Sequence, residues 1–524
     1  MKKKINIFRS AFFQSAIIFS SKLLGLFRNI LIASYFGVSP LASAFTLALM
    51  IPYKLRRILG ESALDAFFVP VYTAMDKKYD LKRVNFFISN LINTISIFVI
   101  MIIIISQFFM SDILSVVTHG LAISSPDAFI FGVSLSKITI VFLLAMPIIA
   151  IFMGLFHANG SFLLPATNSI VLNIFVIFSL IYFSNTGKSL KQVGFKVGYA
   201  YLIAGALIII YQYFLIKKRY NFEFSFKLNL KTEGIKRIFK MMLPATLSMA
   251  VFNINFLIDT FLASFIRDGA AISVFRYSEI IVQFPIGVIG VAIFNTSLPS
   301  LSRHVKDGNI KKSKNIFERL LRFLIYLSLP ISFGLLAIKH NFISLIYQYK
   351  NFNVNDVALV TNVLQYFLIG LIGFLGVRIA ASLFYAKEEV QIPLKVSVIS
   401  VLINIILNFI LVVHMETAGL ALASSIAGIV NILLLIIIAN RKYFKIDFKE
   451  ITVTFIKAFT ASFIMYLIVS HLSGIFEIKS VIDRIISVII PVVTGVISYI
   501  VLSLIFKIQE FKDIYKNLVL NKKE

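Results

Sequence analysis

The sequence contains no cysteine, and only 14% of its 524 residues are charged. The absence of cysteine excludes disulfide bonds, thiol nucleophiles and iron–sulfur ligation. A soluble protein carries about 25% charged residues and about 45–50% apolar ones, whereas 59% of this chain is hydrophobic and its mean hydropathy is +0.92. So few polar residues cannot cover so much apolar surface in water. The composition therefore indicates an integral membrane protein and excludes soluble enzymes, disordered proteins and small secreted domains.

Acidic residues are also scarce, since 24 Asp and Glu stand against 51 Lys and Arg. The sequence has no G-x-x-x-x-G-K-[ST] loop, so we do not expect the chain to hydrolyse a nucleotide. It has no H-E-x-x-H pair, and its six histidines occur singly. Its basic segments do not alternate with aromatic residues as a strand-binding surface would. We therefore predict that the chain is not an enzyme and that it has no nucleic-acid partner.

Fourteen apolar segments are long enough to span a membrane, because a spanning helix needs about 20 mostly apolar residues. The second is about 35 residues long, or roughly 50 Å as a helix, which exceeds a hydrocarbon core of ~30 Å. We expect it to bend or break at Pro52 and Gly60. The segments lie near residues 11–35, 41–75, 85–109, 135–158, 163–183, 197–216, 241–265, 271–298, 316–338, 357–385, 392–413, 416–438, 452–472 and 481–506.

The distribution of basic residues predicts the orientation of these spans, because cytoplasmic loops carry an excess of Lys and Arg. With the amino terminus in the cytoplasm, the inside segments hold 32 Lys and Arg and the outside loops hold seven. Lys188, Lys191 and Lys196 form the one outside loop that departs from this pattern. We predict that both termini are cytoplasmic and that the basic loops lie against an anionic lipid leaflet.

An internal repeat divides the chain. The pattern L-F-x-A-x6-P occurs at 155–165 and again at 383–393, and Ser43-Ala44-Phe45 is echoed by Ser273-Val274-Phe275. The repeat covers six spans, an even number, so both copies keep the same orientation. This predicts an all-α polytopic membrane protein with two parallel six-helix lobes around a central cationic cavity, an arrangement seen in transporters. The predicted regions are an N-lobe at 1–216, a basic cytoplasmic linker at 217–240, a C-lobe at 241–440, and spans thirteen and fourteen with the tail at 441–524.

Several cations lie within or at the ends of the predicted spans. An Arg or Lys at the bilayer centre costs about 2.5–3.5 kcal/mol on insertion scales, so it normally faces a wet cavity or a partner. Together these cations predict a cavity for an anion, most simply a phosphate group, which Arg binds in bidentate fashion. Alternatively, Arg56 and Arg57 snorkel to the interface, and Arg276 pairs with Glu279 one turn later. The cations are Lys22, Arg28, Arg56, Arg57, Arg276 and Arg378.

Oxygen-bearing side chains form a second, weaker pattern. Asn404 and Asn408 are four residues apart on span eleven, so both project from one face. Asp259 lies in span seven and Ser424 in span twelve. Oxygen ligands of this kind suit a hard cation such as Na⁺. The alternative is hydrogen bonding between amide side chains of neighbouring helices.

Four segments resemble the motifs of the MurJ (MviN) family of lipid II flippases. The family motif S-R-x-L-G-x-x-R-D is similar to Lys22-Leu23-Leu24-Gly25-Leu26-Phe27-Arg28-Asn29. The family motif P-N-L-L-R-R-x-x-x-E…F-V-P is similar to residues 52–61 and 68–70. Residues 284–302 are similar to its span-eight signature, and Phe384-Tyr385-Ala386 with Pro393 is similar to F-Y-x-x-x-D-x-x-x-P. The resemblance runs from about residue 10 to 440.

This resemblance implies a fourteen-helix member of the multidrug/oligosaccharidyl-lipid/polysaccharide exporter superfamily in the bacterial cytoplasmic (inner) membrane. Such a protein flips undecaprenyl-diphosphate-linked disaccharide-pentapeptide from the inner to the outer leaflet by alternating access. The family's cavity cations correspond to Arg28, Arg56 and Arg57. No cofactor is expected; membrane potential, or Na⁺ bound at Asp259, Asn404 and Asn408, would supply the energy. The expected partners are lipid II, membrane lipids and the cell-wall synthesis machinery.

The sequence departs from the family pattern at three places. Lys22 replaces an Arg and so loses the bidentate fork, and Ser43 replaces the acid of a T-D-A-F motif. In span eight, D-R-x-x-E-F-P becomes Glu279-Ile280-Ile281-Val282-Gln283-Phe284-Pro285, and we expect Arg276, one turn earlier, to replace the missing Arg. Ser43, Glu61, Glu279 and Gln283 are expected to support the diphosphate site.

Two other functions fit the same sequence. A sister exporter of the superfamily, moving drugs or another lipid-linked glycan, would share the fold but carry fewer cavity cations. A membrane-embedded polyprenyl-phosphate glycosyltransferase would need a catalytic acid on a loop. The candidates for that acid, Asp112 and Asp127, have no surrounding motif.

Overall fold

The computed structural model describes residues 7–59, 61–161, 163–229, 234–476 and 480–513. Within these residues the chain forms helices and no strand, because a backbone in lipid must satisfy its own hydrogen bonds. The helices are α1 Ile7–Phe36, α2 Pro40–Leu59, α3 Glu61–Lys78, α4 Leu81–Val117, α5 His119–Ser124, α6 Pro126–Thr139, α7 Ala145–Ala158, α8 Leu163–Ala166, α9 Asn168–Ser184, α10 Leu190–Tyr220, α11 Ile235–Ser264, α12 Ala271–Pro285, α13 Val291–Lys306, α14 Ile310–Tyr347, α15 Val354–Ile369, α16 Leu371–Ala386, α17 Gln391–Lys442, α18 Phe448–Ile475 and α19 Val481–Ile505.

The predicted spans fall on these helices. Among the described residues, ten helical stretches are long and apolar enough to cross a membrane, and α2 adds a shorter one, Pro40–Leu55. One of the ten, α17, contains two predicted spans, because its backbone turns sharply at Glu416 (φ 49°, ψ −133°). The prediction of an all-α polytopic membrane protein is therefore confirmed. Helix α2 continues through Pro52, and the predicted bend at Gly60 lies outside the described residues.

Polar residues mark several of the helix ends. Capping boxes, in which two side chains satisfy each other's free backbone N–H groups, open α10, α15 and α19 with Ser189 and Gln192, Asn353 and Asp356, and Ser480 and Asp483. Helix α10 ends at Asn221, whose left-handed backbone (φ 50°, ψ 40°) stops the helix at a cost that Asn tolerates better than most residues.

Contacts divide the chain into two compact units, residues 1–273 and 274–524. In the first unit, α2 packs on α6, α3 on α7, and α9 on both α1 and α10. A buried cluster at its centre includes Phe68, Phe87 and Phe156. Helix α11 packs on α2, α3 and α4 within this unit, although the repeat assigns it to the C-lobe. The lobe boundaries drawn from the repeat stay a prediction.

The linker that follows α10 is bound along α4. Side-chain amides of α4 donate to backbone carbonyls that are four residues apart along the linker: Asn85 to that of Asn221 (3.0 Å), Asn93 to that of Ser225 (2.8 Å) and Asn90 to that of Asn229 (2.6 Å). The hydroxyl of Ser89 accepts from the N–H of Ser225 at 3.1 Å. We call residues 221–229 the strap. These backbone groups of the strap are therefore hydrogen-bonded to side chains of α4.

The second unit is organised around α14, which packs on α15, α16, α18 and α19. Helices α16 and α17 approach closely because glycines line the contact. A Cβ added at Gly373 would lie 2.5 Å from the carbonyl carbon of Gly428, and one at Gly370 would lie 2.6 Å from Cα of Ser425. Small residues allow such close backbone approach between membrane helices.

Ionic contacts bind α18 and the segment after α19 to α14. The Nε atom of Arg322 lies 3.0 Å from a carboxylate oxygen of Glu510, and Arg322 also pairs with Glu450. The carboxylate of Glu510 accepts from the hydroxyl of Thr454 at 3.3 Å. Glu510 is only 4% exposed, whereas Glu450 is 62% exposed. One arginine therefore binds one buried and one exposed carboxylate.

Candidate functional site

Arg28 lies on α1 and is held by an amide of α9. Its Nη1 donates to Oδ1 of Asn173 at 3.1 Å, and its Nη2 donates to Oδ1 of Asn29 at 3.2 Å. Its Nε is buried without a hydrogen-bond partner in the described part of the chain. A guanidinium has five N–H donors, and no carboxylate lies within salt-bridge distance among the described residues. The charge is thus oriented by neutral groups and keeps donors available for an anion.

Asn173 is the residue that fixes this orientation. It is 5% exposed, and its Nδ2 donates to the backbone carbonyl of Ser21 at 3.2 Å. Gly25 lies beside it, since a Cβ there would be 3.6 Å from Nδ2 of Asn173. Sequence reasoning missed this residue. Its signal was an amide in the middle of a predominantly apolar span, where a polar group normally has a partner.

We expect Asn173→Leu to weaken binding of purified protein to lipid-linked diphosphate about tenfold, because a hydrogen bond to a charged group is worth about 1.5–3 kcal/mol. Asn173→Asp keeps an acceptor oxygen but places a carboxylate beside Arg28, so it should weaken diphosphate binding at least as much as the leucine variant. Native mass spectrometry with titrated ligand measures both. Asn168→Leu is the control, because it removes another buried amide of α9 that contacts Gln212 rather than Arg28. Equal losses in the two leucine variants would contradict a positioning role.

The structure describes the other predicted cations of the first two spans only in part. Lys22 lies half-buried on α1, six residues before Arg28. Arg56 and Arg57 fall at the end of α2 and Glu61 at the start of α3. The side chains of Arg56, Arg57 and Glu61 lie outside the part of the chain that the structure describes, so their role in a cationic cavity stays a prediction.

In span eight the structure brings three predicted residues together on α12. Nη1 of Arg276 donates to Oε2 of Glu279 at 2.5 Å, and Nε2 of Gln283 donates to Oε1 of the same carboxylate at 3.3 Å. Arg276 and Glu279 are each 24% exposed. The structural alternative for Arg276, pairing with Glu279, is therefore present in this structure. Its proposed replacement of the missing family Arg stays a prediction.

A π-helical turn at Ile286–Gly290 follows directly on this cluster. Such turns are rare and often lie at functional sites. A Cβ at Gly290 would lie 3.1 Å from Leu375 and 3.6 Å from Cδ of Arg378 on α16. The exposed Arg378 thus runs its aliphatic stem beside the turn.

The side chain of Ser43 is hydrogen-bonded to the backbone at the start of α12. It is fully buried, and its hydroxyl donates to the carbonyl of Ala270 at 3.2 Å and accepts from the N–H of Ser273 at 3.0 Å. It therefore fixes the start of α12. The two serines that the sequence repeat pairs, Ser43 and Ser273, are in direct contact.

The oxygen-bearing residues of span eleven bind each other. Nδ2 of Asn408 donates to Oδ1 of Asn404 at 3.0 Å, and Nδ2 of Asn404 donates to the hydroxyl of Ser424 at 3.3 Å. The bond between the two amides lies within span eleven, and the bond to span twelve goes to a hydroxyl; these hydrogen bonds occupy the groups that a Na⁺ site would use. Asp259 is 8% exposed on α11 in the first unit. The described residues contain no group of three His, Asp or Glu able to hold a metal, and Na⁺ binding stays a prediction.

The acids considered for a glycosyltransferase do not form a site. Asp112 lies exposed on α4, and Asp127, whose side chain is 95% exposed, lies 3.9 Å from Nζ of Lys191. Both carboxylates are solvent-exposed, and the ionisable partner of Asp127 is a lysine that is itself 46% exposed, which differs from the enclosed acid–base pair that such a mechanism requires.

Comparisons with known proteins assign this chain to one family. The family model for "Lipid II flippase MurJ" matches residues 32–489. A "Probable lipid II flippase MurJ" of Buchnera aphidicola subsp. Acyrthosiphon pisum (strain APS) is 29% identical over 518 residues, covering 98% of this chain and 100% of that protein. The protein of the same description from Rickettsia prowazekii (strain Madrid E) is 29% identical over 431 residues, covering 82% of this chain and 83% of that one.

Solved structures agree with this assignment. The structure "Lipid II flippase MurJ, inward closed conformation" matches with a TM-score of 0.79 and 26% identity, covering 96% of this chain and 99% of that one. An inward-facing multidrug resistance MATE family transporter of the MOP superfamily matches with a TM-score of 0.65 and 12% identity, covering 82% of this chain and 96% of that one. The second match shows a shared fold only.

Proposed function

This chain belongs to the lipid II flippase MurJ family, and we propose that it moves undecaprenyl-diphosphate-linked disaccharide-pentapeptide from the inner to the outer leaflet for cell-wall synthesis. It is a multi-pass membrane transporter rather than an enzyme. The resemblance first seen in motifs at residues 22–29, 52–70, 284–302 and 384–393 thus extends over most of the chain.

The observation that best supports the proposal is the set of hydrogen bonds that hold Arg28. A cation in a predicted span that is oriented by neutral amides, rather than neutralised by a carboxylate, is prepared to bind an anion from outside the protein. A diphosphate has the oxygen geometry that guanidinium groups bind in bidentate fashion. Lys22, Arg56 and Arg57 would add charge to the same binding step.

The mechanism we propose is alternating access. The diphosphate binds the cations from the cytoplasmic leaflet while the polyprenyl tail stays in lipid, and a conformational change then exposes the bound head group to the other side. A charge that crosses the membrane field gains about 2.3 kcal/mol per 100 mV, so membrane potential can reset the carrier. Na⁺ at Asp259, Asn404 and Asn408 would be a second source of energy. The basic loops support cytoplasmic termini in the bacterial inner membrane.

Surface exposure of the substrate tests this function. Cells depleted of the protein are treated with an enzyme that degrades only outward-facing lipid II, and the surviving precursor is quantified. We expect outward-facing lipid II to collapse on depletion while total precursor rises, and wild-type protein to restore it. Unchanged exposure in depleted cells would contradict the substrate assignment and favour a sister exporter.

A further inference from the structure

A groove in the first unit lies apart from the residues discussed above. It has a volume of about 550 Å³ and is formed by the loop between α9 and α10, the first turns of α10 and the end of α6. It includes two of the three lysines that depart from the charge pattern of the outside loops. Its lining residues are Ile138, Lys188, Gln192, Phe195, Lys196 and Tyr199.

The two lysines of the groove face one ring. The ammonium of Lys188 lies 4.7 Å, and that of Lys196 5.8 Å, from the ring centre of Phe183. Within the described ranges, no carboxylate lies within 4.0 Å of either group, whereas Lys191 beside them pairs with Asp127. Two like charges near one ring repel each other, so an anion placed between them is stabilised by both.

Further along α10 from the lysines, the helix presents an exposed apolar face. Tyr199 is 48%, Ile203 53% and Ile210 49% exposed, and their spacing from Lys196 keeps all of them on one side of the helix. From Lys196 to Ile210 the helix rises roughly 20 Å, more than half of a ~30 Å hydrocarbon core. Tyr199 lies where the charged groove meets this face, a position typical of interfacial tyrosines.

We propose that this groove binds an anionic glycerophospholipid, with its phosphate between Lys188 and Lys196 and an acyl chain along the exposed face of α10. A groove open to lipid, with charge at one end and apolar side chains at the other, matches the two parts of such a molecule. A soluble anion would use only the lysines. The lipid lies in the outer leaflet if the termini are cytoplasmic, but its chemistry does not depend on that orientation.

Lipid titration by native mass spectrometry tests the site. The full-length protein is released from nanodiscs of phosphatidylcholine containing increasing phosphatidylglycerol, and retained lipids are counted. We expect wild type to retain one phosphatidylglycerol that the double variant Lys188→Gln/Lys196→Gln loses. The affinity should fall roughly fivefold for each lysine removed, the contribution of a Lys near an anionic lipid. Lys191→Gln is the matched control, because its lysine is already paired, and it should bind like wild type.

Three results would overturn the proposal. The first is equal retention of phosphatidylglycerol by wild type and the double variant. The second is equal retention of phosphatidylcholine, which would show that charge is not recognised. The third is displacement of the lipid by millimolar inorganic phosphate, which would identify a site for free anions. Lipid II exposure in cells carrying the double variant reports separately on transport, so failure of the lipid site and failure of the flippase function are distinguishable.

Discussion

Replacing Arg28 by alanine should lower the affinity for lipid II about a hundredfold and eliminate complementation of a depleted strain. Two hydrogen bonds from a guanidinium to a diphosphate contribute together about 3 kcal/mol, and the variant loses both. Asn173 would remain in α9 with its Oδ1 no longer bound by Arg28. Affinity is measured on purified protein by native mass spectrometry, and outward-facing lipid II is measured in cells.

Two variants sharpen this prediction. Arg28→Lys keeps the charge but loses the planar fork, so it should fall between wild type and alanine. Arg219→Ala removes a basic residue in the last turn of α10 and should leave affinity within twofold of wild type. Wild-type lipid II exposure in cells carrying Arg28→Ala at normal protein level would show that this cation does not bind the substrate.

Replacing Glu510 by alanine should destabilise the second unit by about 3 kcal/mol, because removing one member of a buried ion pair leaves the other without its partner. The melting temperature of detergent-solubilised protein should fall by about 5–10 °C. The loss should appear first as release of α18 and the carboxyl-terminal segment from α14, since Glu510 contacts Arg322 and Thr454.

Glu450 provides the matched control for this experiment. It binds the same arginine but is 62% exposed, so Glu450→Ala should cost less than about 1 kcal/mol. The double variant Arg322→Met/Glu510→Leu replaces the pair by apolar groups and should recover much of the stability lost in Glu510→Ala. Equal melting temperatures for the two single alanine variants would show that burial does not set the strength of this pair.

Hydropathy alone predicted the helices, because a lipid environment leaves the backbone almost no other structure. It did not predict how they divide along the chain. Helix α17 runs from Gln391 to Lys442 as one element with a turn at Glu416, and α12 and α13 are joined by a π-helical turn. Both features depend on local backbone angles, for which span length and composition carry no signal.

The candidate site was predictable where charge was the signal. Arg28 stood out as a cation in an apolar span, whereas Asn173, its neutral partner, did not. Spacing alone placed Asn404 and Asn408 on one face, but it could not decide between a cation and the hydrogen bond that the structure shows. Ser43 matched a family position, yet its contact with Ser273 depends on how α2 meets the start of α12. Partners across helices follow from packing, which a single sequence does not encode in its local pattern.

The strap is a loop whose backbone is bound at several points along it. Most loops tolerate insertions and deletions because their backbone is held only at its ends. Here α4 binds the carbonyls of Asn221, Ser225 and Asn229, every one an odd-numbered position, and successive carbonyls of an extended chain point to opposite sides. Removal of one residue from the strap would turn the carbonyls that follow it away from the amides of α4. Removal of two residues would again point carbonyls toward those amides, although different residues would supply them. We therefore expect changes of length within the strap to be tolerated in steps of two residues rather than one.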